Sequence, residues 1–308
     1  MKRRSPATFA ALRSASSDAD VVVAHGSTTL PVSALALAGT RQRLVYRQIS
    51  DPNFWAPPGR RRLQTAVALR TTAAVVALAD EAADLVASAF RYPRARVHVV
   101  PNGVPRARFA PPDAGQRAHA RNAQGLSDEF CILYLGALVP EKGISVALDS
   151  VAGMERVVLL VAGDGPDRQR LEAAAEKYPP GRVRFLGAVD DPVPLLHAAD
   201  VCVLPSLGGD SMPAALIEAA MCGVPSVATP VGAIADVVKD GETGLIVPIG
   251  DASRLSTAID KLRSDPAFAS GLGLAASVHA ASEYEITSVA RQWISVCNRT
   301  LDEHGKVI

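Results

Sequence analysis

Short apolar runs rich in Val, Ile and Leu alternate along the chain with Ala- and Leu-rich stretches of helical period. Continuous apolar runs, rather than strict in–out alternation, mark strands buried on both faces, so the pattern predicts an α/β protein with parallel sheets covered by helices. Beyond residue 125 the runs fall at 131–136, 157–163, 183–187, 201–205, 225–229 and 244–248. Six strands with intervening helices make one complete doubly wound domain. Before residue 105 the strand candidates are 21–25, 43–49, 75–79 and 97–101, a thinner sheet. Pro101, Pro105, Pro111, Pro112 and Gly115 lie between the two sets and read as a connection. The expected organisation is an N-terminal domain over 1–110, a linker over 111–125 and a C-terminal domain over 126–282. A helical tail over 283–308, which includes Trp293, is expected to pack back on the first domain.

Composition narrows the functional classes. The chain is 48% hydrophobic and 20% charged with a formal net charge of +1, so bulk charge gives no support to a nucleic-acid partner. The run Arg60–Arg62 reads as a solvated helix start, ahead of a phosphate or anionic-lipid patch. Cys131, Cys202, Cys222 and Cys297 include no close-spaced pair, which argues against a zinc or thiol-redox motif and for a reduced, cytoplasmic protein. No apolar segment reaches membrane-spanning length, and peripheral membrane contact stays open.

The densest chemistry lies in LPSLGGDSMPAALIEAAMCGVPSVAT, residues 204–229. A strand ends in a glycine-containing loop, a helix begins near Pro213, and Gly223 stands where that helix should stop. The start of a helix at the carboxyl edge of a doubly wound sheet can hold a diphosphate through backbone N–H groups and the positive dipole end. Glu218 interrupts an apolar stretch of this helix, and burying an unpaired carboxylate costs several kcal/mol. It therefore has a partner or faces a crevice. Asp210, eight residues earlier, faces the same crevice from the strand edge.

Two acids so spaced, followed by EAAMCGVPSVAT, resemble the paired-acid motif of family 4 retaining glycosyltransferases, enzymes of GT-B fold with two Rossmann-like domains. That resemblance implies that Asp210, a shortened form of the usual Glu, binds hydroxyls of the donor sugar and that Glu218 binds the ribose. It puts Ser211, Met212 and Ala214 near sugar and phosphates. YLGALVPEKG, residues 134–143, resembles the loop that brings Gly136 and a basic pair to the donor diphosphate; Lys142 matches one member, and Ala137 stands where the family commonly has Arg. VAGDGPDRQRL and VRFLGAV resemble the next two strand-end loops, with Val189 beside the nucleotide base; GDGP by itself is a turn signal. VVPNGVPRARFAP and TPVGAIADVVKDGETGLIVP match the segments around the linker and after the acid pair, so the likeness spans about residues 20–300.

The resemblance implies transfer of a sugar from a nucleotide-diphosphate donor to a lipid, glycan or small-molecule acceptor. Anomeric retention is implied, with Lys142 and Asp210 in the catalytic roles, no metal and no cofactor. No Asp-x-Asp motif closes a strand, and Asp190–Asp191 reads as a turn or cap. The first strands and the glycine-rich loop of the family's N-terminal domain have no counterpart, so that domain is expected to be incomplete. The histidine that the family carries after the next strand is replaced around Ile49, Ser50 and Asp51; His25 is the nearby candidate for phosphate or acceptor contact, set against a plain loop histidine. Ala137, Asp210 and the short N-terminal domain motivate the alternative of a degenerate nucleotide-sugar-binding or scaffold protein.

Overall fold

The computed structural model describes residues 5–49, 56 and 59–302. Ser50, Asp51 and His304 lie outside the described residues. Two compact units divide the chain, one of residues 1–102 with 287–308, the other of 103–286.

In the first unit the order is α1 (Pro6–Ala15), β1 (Val21–His25), α2 (Leu30–Ala36), β2 (Arg43–Arg47), α3 (Arg60–Leu69), β3 (Ala74–Ala77), α4 (Asp80–Phe90) and β4 (Val97–Val99). The strands pair in parallel in the order β1-β2-β3-β4, and His25 faces Arg47 in register. One sheet face packs Leu44, Tyr46 and Val75 against Leu30, Leu69 and Phe90 of the flanking helices. Val45, Ala74 and Val76 on the other face pack against Val289 and Val296 of the C-terminal helix, Ile286–Asp302, with Trp293 alongside. Coverage on both faces is why β3 reads as an unbroken apolar run.

The second unit runs α5 (Ala114–Ala123), β5 (Phe130–Leu135), α6 (Ile144–Ser150), β6 (Val157–Ala162), α7 (Arg168–Ala175), β7 (Val183–Gly187), α8 (Val193–Ala198) and β8 (Val201–Leu204). It continues through α9 (Ala214–Met221), β9 (Ser226–Ala228), α10 (Ile234–Val237), β10 (Gly244–Ile246), α11 (Ala252–Ser264) and α12 (Pro266–Glu283). Its strands lie parallel in the order β10-β9-β8-β5-β6-β7. Chain order runs one way from β5 and the other way from β8, so the topological switch point falls between these two strands. Every residue of β6 is buried, and Ile132, Leu133, Leu159 and Leu160 are fully enclosed. Each such side chain contributes about 1.5–3 kcal/mol by leaving water.

Unit boundaries and sequence expectations differ at two places. The stretch expected as a linker over 111–125 contains α5, opened by a capping box in which Asp113 Oδ1 accepts from Gln116 N at 2.7 Å and Gln116 Oε1 accepts from Asp113 N at 3.0 Å. Arg117 and Arg121 on this helix both reach Asp200, at 2.5 and 3.1 Å, and Asp200 also accepts from Cys131 N at 2.6 Å. The segment is thus bolted to the second unit at the start of β5 and β8. The tail divides at Ile286, so α12 belongs with the second unit and the final helix with the first.

Candidate functional site

The switch point places the carboxyl ends of β5 and β8 side by side, and the loops that leave them meet. The β5 loop turns through Pro140–Lys142 and then Gly143, at φ 66°, into α6; the β8 loop runs from Pro205 to Pro213 and into α9. Leu207 N donates to Glu141 O at 2.7 Å, joining the two backbones. A Cβ on Gly143 would lie 2.0 Å from the carbonyl oxygen of Pro205, so only glycine allows this approach.

That approach brings Lys142 to Asp210. The Lys142 ammonium donates to Oδ1 of Asp210, and Ser206 Oγ donates to Oδ2 of the same carboxylate. Asp210 is 8% exposed and Ser206 fully buried, so the carboxylate spends both oxygens inside the loop cluster. Thr229 Oγ1 donates to the Ser206 carbonyl at 2.6 Å, and Ala233 N donates to the Ser211 carbonyl at 2.6 Å. The loop after β9 therefore backs the same cluster, with Gly232 so close that a Cβ there would lie 2.3 Å from the Asp210 carbonyl oxygen. Beneath it, fully buried Tyr134 donates to Ala137 O at 2.8 Å, and burial, aided by the charge of Asp210, raises its phenol above the ordinary range.

Glu218 stands on α9, half-buried, with no hydrogen-bond partner for its carboxylate among the described residues. Burial raises its pKa above the ordinary carboxyl range, and the charge of Arg108 partly offsets this. Its negative charge is also felt by Cys202 and Cys222, whose thiols burial pushes up to about 12. Arg108 pairs with Asp191 at 3.0 Å and lies over the ring of Phe109. Asp191 in turn accepts from Val193 N at 3.2 Å, at the start of α8. Arg108 thereby ties the neighbourhood of Glu218 to the loop after β7 that carries Val189.

Gly136, Lys142, Asp210, Ser211 and Met212 lie on the loops at one edge of one sheet, and Ala214 and Glu218 on the helix that follows them. Met212 is buried, Ala214 exposed, and Pro213 supplies no side-chain cap to α9. Val189 follows β7, which lies two strands from β5. His25 belongs to the first unit, exposed at the carboxyl end of β1; burial of its ring and the adjacent Arg47 lower its pKa. Arg47 donates to Asn102 at 2.7 Å and lies over Trp293. GDGP serves the frame: Leu138 N donates to Asp164 O at 2.9 Å, and Asp167 N to Leu138 O at 3.0 Å, which locks the β5 and β6 loops together. Among the described residues no group of three His, Cys, Asp or Glu side chains is placed to hold a metal.

Sequence reasoning missed Ser206, Thr229, Gly232 and Arg108. Thr229, Gly232 and Arg108 act through partners distant in the chain, whereas Ser206 bonds Asp210 four residues on, and only the dipeptide Pro205–Ser206 at a strand end offered a local signal.

Residues 129–265 match the model for glycosyl transferases group 1, and residues 1–108 match that for glycosyltransferase family 4. The phosphatidyl-myo-inositol mannosyltransferase of Mycobacterium leprae is 34% identical over 183 residues, 57% of this chain and 48% of that protein. The D-inositol 3-phosphate glycosyltransferase of Mycobacterium marinum is 35% identical over 215 residues, 66% of this chain and 45% of that one. The chain spans about half the length of the curated relatives it matches. Among solved structures, Anabaena HepE in complex with UDP superposes with a TM-score of 0.86 at 19% identity, covering 95% of this chain and 82% of that one. Sucrose-phosphate synthase from Thermosynechococcus elongatus gives 0.85 at 23% identity, covering 97% and 78%. These likenesses establish the fold as GT-B. With family models matching on both sides of α5 and the paired acids on the loop and helix that follow β8, the chain belongs to the family 4, group 1 glycosyltransferases.

Proposed function

We propose that this protein moves a sugar from a nucleotide-diphosphate donor to an acceptor with retention of anomeric configuration. The observation that carries this reading is the contact of Lys142 with Asp210 between the loops after β5 and β8 at the switch point of the second unit, with Glu218 on the helix that follows the β8 loop. Lys142 opposes the charge that develops on the departing diphosphate, and the start of α9 adds backbone N–H groups. Glu218, with no partner for its carboxylate among the described residues, accepts from the ribose hydroxyls; Asp210 accepts from the sugar. The backbone at Gly136, Ser211, Met212 and Ala214 lines the phosphates and sugar, and Val189 lies against the base. UDP and UDP-glucose are the nucleotides named with the HepE structures, which supports this class of donor.

The chemistry needs positioning and charge stabilisation more than acid–base groups, and one well-placed donor of this kind is worth about 10²–10³ in rate. On this reading the reaction requires no metal and no resident cofactor. Incubating the purified protein with UDP- and GDP-linked sugars, with phosphatidylinositol vesicles and inositol phosphate as acceptors, and following released nucleotide and labelled product is the test. Transfer or slow hydrolysis supports the proposal; neither with any donor sinks it. Tight nucleotide binding without turnover would establish a degenerate binding protein, the reading that Ala137 and the shortened Asp210 favour.

The acceptor side points to an anionic or lipid substrate at a membrane surface. The net charge of +1 conceals a division: the first unit carries 17 Lys and Arg against 8 Asp and Glu, net +9, and the second 15 against 23, net −8. On α3, Arg60 and Arg61 are exposed beside Leu63 at 67% and Val67 at 56%, and Leu35 on the packed neighbour α2 is 63% exposed. Basic side chains near an anionic bilayer contribute about 1 kcal/mol each, and exposed apolar side chains insert beside them. No described helix is long and apolar enough to cross a membrane. The relatives act, by name, on phosphatidylinositol and inositol phosphate. A cytoplasmic protein held peripherally is the corresponding location. Co-sedimentation with vesicles containing anionic lipid, lost in R60E/R61E and absent with neutral vesicles, is the expected result; equal binding to both vesicle types contradicts it.

A further inference from the structure

The two residues that the donor-site reading assigns to phosphate and to sugar are bonded to each other. Lys142 donates to Oδ1 of Asp210, and the side chains are only 22% and 7% exposed. Neither partner is free to swing away cheaply. The Lys142 backbone is fixed by the close approach of Gly143 to Pro205 and by the Leu207–Glu141 hydrogen bond. Asp210 is fixed from the other side by Ser206 on Oδ2, whose own carbonyl is held by Thr229, and by Gly232 against its backbone.

A phosphate that takes the Lys142 ammonium must therefore compete with a buried carboxylate and leave that carboxylate short of a donor. An unpaired buried charge is costly. The diphosphate end of a bare nucleoside diphosphate brings only acceptor oxygens to this pair, its ribose hydroxyls being turned to Glu218, and cannot repair the loss. A nucleotide sugar brings hydroxyl donors on the far side of the same diphosphate, and these can bond Asp210 as Lys142 turns to the phosphate. The exchange balances for the donor and not for the diphosphate that remains after transfer.

We propose that the Lys142–Asp210 pair is a specificity latch that favours the sugar-bearing donor over the nucleoside diphosphate product, so that product leaves readily. The inference rests on the donor-site reading above. Ser206 is its positioning residue: it holds the carboxylate where the lysine and the sugar compete for it.

The test is a set of calorimetric titrations of UDP, UDP-glucose, GDP and GDP-mannose into wild type and Asp210→Asn, which is nearly isosteric and removes only the charge. For the base that wild type accepts, the expected result is bare diphosphate binding about tenfold tighter in D210N while the nucleotide sugar binds no tighter. The preference for donor over product thus falls at least tenfold. Asp210→Ser, smaller and neutral, is expected to shift the preference in the same direction and serves if D210N fails to fold. Asp210→Glu, which keeps the charge, retains the preference. Nucleotide binding to wild type with an unchanged ratio in both neutral variants overturns the latch and leaves the donor site standing. No binding of any of the four to wild type overturns the donor-site reading and the latch with it.

Discussion

Replacing Gly143 by Ala tests whether the two loops at the switch point must touch. Gly143 sits at φ 66° with a hypothetical Cβ only 2.0 Å from the carbonyl oxygen of Pro205. A left-handed conformation costs an L-residue about 1–2 kcal/mol. Overpacking of a buried contact adds about 1–3 kcal/mol, because the β8 loop has to retreat. The sum is about 2–5 kcal/mol, which for a unit of this size lowers the melting temperature by about 4–20 °C. The natural control is Gly208→Ala in the neighbouring loop, where an added Cβ meets nothing within 4 Å and no positive φ is required. Thermal melts of the two variants, followed by circular dichroism, give the comparison. Nucleotide-sugar titration supplies the functional half: retreat of the β8 loop moves Asp210 away from the sugar and disturbs the start of α9, so affinity for the donor falls as well. If G143A melts no lower than G208A, the loops do not need the contact and the geometry that assembles the site is wrong.

Three further outcomes follow from other parts of the structure. Glu218→Gln removes a carboxyl whose folded-state pKa is raised by burial. Such a group favours the folded state below its unfolded pKa and disfavours it as pH rises through the folded value, so E218Q gains in melting temperature over wild type on going from pH 4 to pH 8; a gain confined to low pH contradicts the assignment. Asp113→Ala opens the capping box of α5 and costs about 1 kcal/mol in urea unfolding, against no change if the segment is an unstructured connection. Leu160→Ala, at a fully buried position of β6, costs about 2–5 kcal/mol, and a loss under 1 kcal/mol would contradict the packing of that strand.

Much of the fold is legible because its strands are buried on both faces. The runs predicted at 131–136, 157–163 and 201–205 stand out because parallel strands under two helical layers leave no solvent-facing positions to break them. Helix α5 was hidden for the opposite reason: only Ala120 of it is buried, so no apolar period marks it against the surrounding prolines. Its place is set by Arg117 and Arg121 reaching Asp200, about eighty residues away. Glu218 was legible because a charge among alanines and leucines needs a reason. Ser206 and Thr229 were not, since a serine or threonine near a strand end is unremarkable until the structure shows which carboxylate or carbonyl it holds. The division of charge between the units was equally invisible in the sum, because +9 and −8 cancel to the +1 of the whole chain.

The central claim is that the loops after β5 and β8, with the first turns of α9, form a nucleotide-diphosphate site. Calorimetric titration of UDP and GDP into wild type and Glu218→Ala tests it most directly. A hydrogen bond from ribose to a charged acceptor is worth about 1.5–3 kcal/mol. The account predicts saturable binding of one of the two nucleotides to wild type, weakened about 10- to 150-fold in E218A with the fold intact by circular dichroism. Binding of equal strength to both proteins, or no binding to either, would contradict it.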